Sequence, residues 1–120
     1  MAYCEPLVRE SSVEIASGGT ESPAIQTWIR PDAGNYAAGF RRGSFQIPAA
    51  FTGTGMTIQA SNDGVNWVEC DDTDGTDPTP TITANGSYRF PNDGFAYKYL
   101  RLVAGSAQLH TRTITIFMAT

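Results

Sequence analysis

The chain has 120 residues, 17% of them charged, with twelve glycines, seven prolines and a formal net charge of −4. That length amounts to one domain, able to hide roughly two-thirds of its unfolded surface without a metal or disulfide framework, and its profile favours short strands over long surface helices. Eight Lys and Arg residues without a basic stripe exclude a phosphate-neutralising footprint, and no apolar run approaches the roughly 18 residues of a membrane span, so neither nucleic acid nor membrane is an expected partner.

The opening, MAYCEPLVRE, has no basic region followed by an apolar run, so synthesis and folding in a cytoplasm are expected. Residues 1–11 read as an N-terminal arm, with Tyr3 and Leu7 as contact residues, ahead of a single domain over 12–120. From there the pattern is alternation by two, broken by turn residues. SVEIA (12–16) sets Val13 and Ile15 on one face. AIQTWIR (24–30) sets Ile25, Thr27 and Ile29 against Gln26, Trp28 and Arg30, and GFRRGSFQIP (39–48) ends at Pro48.

MTIQAS (56–61) turns Met56, Ile58 and Ala60 inward. Asn62-Asp63-Gly64 then supplies hairpin chemistry, since Asn and Asp tolerate positive φ and Gly adopts it without strain. VNWVEC (65–70) follows, with Trp67 expected to lie over the apolar face of the preceding strand as a core anchor. After an acid-rich loop come short segments near Ile82 and at SYRF (87–90). YKYLRLVA (97–104) and TRTITIFM (111–118) alternate most regularly. About eight strands at intervals of about ten residues predict an all-β antiparallel sandwich or jelly roll.

Chemistry is sparse. His110 is the single histidine, and no HExxH, GxSxG, CxxC or phosphate-loop pattern is present, so no catalytic residue and no cofactor are expected and the chain reads as a non-enzyme. Cys4 and Cys70 read as reduced thiols rather than a framework. Glu69, Asp71, Asp72, Asp74 and Asp77 place five of the twelve acids within nine residues; the other seven face eight basic residues, close to neutrality. Asp72, Asp74 and Asp77 resemble the start of a calcium loop, but the twelfth position from Asp72 is Thr83 rather than Glu, so a solvated loop is the simpler reading. If Leu100 and Leu102 face inward, Tyr97, Tyr99 and Arg101 line the other face. With Trp28 they are the residue types that dominate protein interfaces.

Two stretches resemble known families. Ser61-x-Asp63-Gly64-x-x-Trp67 followed by Tyr97-x-Tyr99-Leu100-Arg101-Leu102 resembles the discoidin (coagulation factor 5/8 type C) and related carbohydrate-binding jelly rolls, over about a third of the chain. That family's paired terminal cysteines are not reproduced, and no binding residue carries over; the resemblance implies a glycan as ligand. From residue 12 onward the chain is similar to small virion proteins of tailed bacteriophages, most specifically in IPAAFTGTGMTIQASNDGVNW (47–67). This resemblance implies a capsid decoration or cement protein on the virion's capsid surface, with a neck or tail position as the alternative. Its expected partners are the major capsid protein and its own copies, as a dimer or trimer.

Overall fold

The alternation of apolar and polar residues becomes ten strands and one 3-10 helix in the computed structural model, which describes residues 8–29, 38–70 and 81–120. In chain order these are β1 (Val8–Ile15), β2 (Ile25–Gln26), β3 (Trp28–Ile29), β4 (Ala38–Gly39), β5 (Arg42–Gln46), β6 (Met56–Ser61), β7 (Val68–Glu69), β8 (Ser87–Arg89), the helix Asn92–Ala96, β9 (Tyr99–Ala104) and β10 (Arg112–Ala119). Two four-stranded sheets form, β1-β10-β5-β8 and β2-β9-β6-β7, and β3 pairs with β4 apart from them. Every pairing between these strands is antiparallel.

The pairings are nested. β1 joins β10, β2 joins β9, β5 joins β8 and β6 joins β7. A ribbon of paired strands folded over on itself in this way is a jelly roll, which is the expected fold with β3 and β4 as an added hairpin. The inner faces supply the core. Phe45, Ile114, Ile116 and Met118 from the first sheet meet Met56, Ile58, Leu100 and Leu102 from the second, each at most 1% exposed. Full burial of such a side chain contributes roughly 1.5–3 kcal/mol. Phe90 packs against Phe45 at 5.1 Å and meets Phe95 edge-on at 6.1 Å, closing the core beside the helix.

The connections gather at two ends. At one, segments 16–20, 51–55 and 105–111 converge on Gln108, 1% exposed. Its amide donates to the carbonyls of Thr52 (3.0 Å) and Ser106 (3.1 Å) and accepts from the Thr52 N–H (2.9 Å). Its backbone joins Gly18 and Gly19. At the other end lie the 61–67 loop and the segment 90–98.

The structure corrects the arm. Residues 8–11 are the first half of β1, paired with Ala119 through Ile116 of β10. Arg9 points inward there. Its guanidinium lies 4.6 Å over the Phe40 ring and donates to the Gln26 carbonyl, and burial pushes its pKa below the usual value. An expected arm residue thus plugs one end of the sandwich. Tyr3, Cys4 and Leu7, together with Arg30 and the candidate calcium ligands Asp72, Asp74 and Asp77, lie outside the described residues. Cys70 is buried in the core.

Candidate functional site

The site begins with the alternation in β9. Leu100 and Leu102 are fully buried, so Tyr99 and Arg101 stand on the outer face of the second sheet. Register sets Gln59 of β6 opposite Arg101. The Arg101 Nε donates to the Gln59 Oε1 at 2.7 Å, and an outer guanidinium nitrogen lies 3.4 Å from the Glu21 carboxylate. That ion pair is open to water and adds little stability on its own. What it does, with Gln59, is hold the guanidinium flat against the sheet.

The 61–67 loop delivers the remaining member. The Asp63 carboxylate accepts from the backbone N–H groups of Val65 and Asn66, each at 2.8 Å, from the Asn66 side chain at 2.8 Å, and from the Ser61 hydroxyl at 2.9 Å. Ser61 Oγ in turn accepts from the N–H of Gly64, whose φ of +76° is the left-handed conformation that glycine supplies without strain. Backbone and side-chain donors to the carboxylate hold its pKa well below the usual carboxylate range. The Asn62 side chain accepts from the Lys98 N–H, tying the loop to the strand entry. The chain leaves this turn on the outer side of the sheet, and Trp67 comes to rest with the Arg101 guanidinium 4.3 Å from its ring centre.

Trp67 is therefore not the core anchor its spacing suggests. It is half-buried and covers the polar face of β6 and β9, opposite to the expected side. Of the sequence-predicted contact residues, Tyr99 and Arg101 share this face. Tyr97 instead packs against the core, and its carbonyl accepts from the Thr27 hydroxyl. Trp28 lies on β3, off both large sheets, where its carbonyl accepts from the Gln26 amide at 3.0 Å and its buried indole N–H has no partner among the described residues. The assembled patch is thus Tyr99, Arg101, Gln59, Glu21 and Trp67. The W and R were each visible in the sequence; their stacking across 34 residues carried no local signal.

Among the described residues no group of three His, Cys, Asp or Glu side chains is arranged to hold a metal ion. His110 is exposed between β9 and β10. The surface offers contact chemistry: a delocalised cation, two aromatic rings, one amide and one carboxylate on a paired sheet.

No family model matches the chain, and no curated protein matches it in sequence. Among solved structures, the crystal structure of the SPBc2 prophage-derived protein YomS matches it with a TM-score of 0.51 and 15% sequence identity. The match covers 100% of this chain and 99% of that one. At that identity the likeness is one of fold, and it runs end to end: a whole chain of nearly the same extent wraps in a similar way.

Proposed function

We propose that this chain is a structural protein of a tailed-phage virion, binding the capsid surface as a decoration or cement protein through protein–protein contacts. The observation that carries this reading is the outer face of the second sheet. Tyr99, Arg101 and Trp67 stand there together on a jelly-roll frame, with Arg101 preorganised by Gln59, Glu21 and the Trp67 ring. Arg, Tyr and Trp dominate interface hot spots, and a preordered guanidinium loses less entropy on docking. The end-to-end likeness to a prophage-derived protein supports the phage setting. Many copies on a symmetric shell also convert modest contacts into strong retention. In this reading the chain acts without chemistry or cofactor, in company with the major capsid protein and its own copies.

The test is retention on purified heads of the phage that encodes the chain, measured by co-sedimentation. Tyr99→Ala and Arg101→Ala are expected to weaken retention about 30-fold or more each, the loss of a hot spot worth about 2 kcal/mol. Heads that hold both variants as well as the wild type remove this face from the interface, and heads that retain none of the wild type overturn the capsid assignment. One observation favours a glycan-binding reading instead: Trp67 lies outside the core beside a polar loop. A shift of tryptophan fluorescence on adding glycans, absent in Trp67→Phe, would decide for it.

A further inference from the structure

The opposite side of the molecule carries a second feature. Phe117 of β10 is directly opposite Ser44 of β5, which is opposite Arg89 of β8. One step along, Ala119 is opposite both Val8 of β1 and Arg42 of β5. These six residues lie on the outer face of the first sheet and border an open groove of about 330 Å³. Its lining is mostly apolar and includes the half-buried Phe117 with Val8 and Ala119.

Two features distinguish this groove from an ordinary solvated face. Arg42 and Arg89 are both exposed at its rim, and neither guanidinium has a hydrogen-bond or ion-pair partner among the described residues. They are also diagonal neighbours across β5 and β8, which sets their Cα atoms about 7–8 Å apart. Glu10, across from Phe117 on β1, is two strands further from Arg89 than Ser44 is near it, about 14 Å away at the usual strand spacing. It does not neutralise the pair.

The sequence holds a matching partner. Glu69, Asp71, Asp72, Asp74 and Asp77 form its one acid-dense run. In any extended peptide, residues two apart point the same way about 7 Å from each other, which is the spacing of Arg42 and Arg89. Arginine and carboxylate form paired, charge-assisted hydrogen bonds beside apolar side chains that exclude water. We propose that this groove receives the acidic run of a second copy of the chain, with Asp72 and Asp74 on Arg42 and Arg89 over Phe117. Groove and acidic run are different surfaces, so the contact is head to tail. Repeated, it builds a ring or an open string of copies rather than a closed two-fold dimer.

This goes beyond the proposed function, which places the capsid contact on the other sheet and assigns no surface to contacts between copies, so either can fail alone. The experiment is light scattering on the full chain with a chelator present, over a range of protein concentration, at roughly 50 mM and 500 mM salt to change charge screening. Two variants accompany it: Arg42→Glu/Arg89→Glu, and Asp71→Asn/Asp72→Asn/Asp74→Asn/Asp77→Asn. Expected are wild-type masses that rise with concentration above the 12.9 kDa of one chain and fall back at high salt. Each variant alone should remain monomeric. Mixed in equal amounts they should form a dimer and nothing larger, because only one groove and one acidic run remain compatible. A synthetic peptide of residues 69–77 with Cys70→Ser should disperse the wild type, which keeps the test sound should a variant misfold. A wild type that stays monomeric throughout, a groove variant that still associates, or a folded pair that fails to dimerise overturns the proposal.

Discussion

At one end of the sandwich seven residues, 61–67, turn the chain around a single carboxylate, and every bond that Asp63 makes lies within three residues of it. At the other end the turn is organised by Gln108, whose amide reaches Thr52, 56 residues away, and whose backbone reaches Gly18 and Gly19. The first loop is exposed and carries its own hydrogen-bond partners in its sequence. The second is a buried junction of three segments that exists only after the sheets have paired. The difference teaches where each end's stability resides: in local turn chemistry at the first, in tertiary satisfaction of buried amides at the second.

The largest expected effect follows at the buried junction. Gln108→Ala removes the partners of the Thr52 N–H and of the Thr52 and Ser106 carbonyls at a site water reaches poorly. Each buried group left unsatisfied costs about 1–3 kcal/mol, and partial access of water at the half-buried Thr52 reduces the sum. A loss of about 3 kcal/mol in urea unfolding is expected. A loss below about 1 kcal/mol, typical of an ordinary surface change, would mean that the two ends do not differ in the way described.

That contrast also separates what was legible in the sequence from what was not. The strict alternation in β9 and β10 gave their inner faces correctly, because side-chain direction in a strand depends on period two and nothing else. The Ser-Asn-Asp-Gly chemistry of the 61–67 loop was readable for the same reason: its partners are adjacent. The side on which Trp67 emerges was not, because it depends on how the Asp63 turn exits and on Arg101, a strand away. Arg9 and Ser11 made the first half of β1 look like a loose arm. They face inward at the end of the sandwich, where Arg9 is tolerated because its guanidinium finds the Gln26 carbonyl and the Phe40 ring across the gap. Of the candidate surface, Tyr99 and Arg101 came from one strand's alternation, whereas Gln59 and Glu21 joined it through strand pairing and Trp67 through the exit of the Asp63 turn. Gln108 had no signal at all; nothing local distinguishes a buried loop glutamine from a solvated one.

A smaller effect is expected where the exposed loop meets the sheet. Arg101→Met keeps the aliphatic packing over Gln59 and Trp67 but removes the charge stacked on the indole. A cation over tryptophan at such a site contributes about 0.5–1 kcal/mol, so the melting temperature should fall by a few degrees at most and the tryptophan emission should shift to the red as the ring gains water. An unchanged emission would show that the guanidinium does not shield the ring in solution.

The smallest effect, and the one that separates the two ends most cleanly, is Asp63→Asn. The amide keeps an acceptor oxygen for the Val65 and Asn66 N–H groups but loses the charge that strengthens those bonds, and its NH2 cannot accept from the Asn66 side chain as the second carboxylate oxygen does. Because the folded protein holds the Asp63 pKa below its value in the unfolded chain, the charged carboxylate favours folding. That contribution is fully present above the unfolded value of about 3.9 and is lost progressively as the pH falls below it. The wild type should therefore exceed Asp63→Asn in stability at neutral pH, and the gap should close on acidification. The chain's other carboxylates titrate in both proteins and cancel in the difference. Gln108 does not titrate, so the gap between wild type and Gln108→Ala should stay level over the same range. A gap at Asp63 that also stays level would mean that the loop is held by the shape of its acceptor alone, and the charge at this end would have no part in closing it.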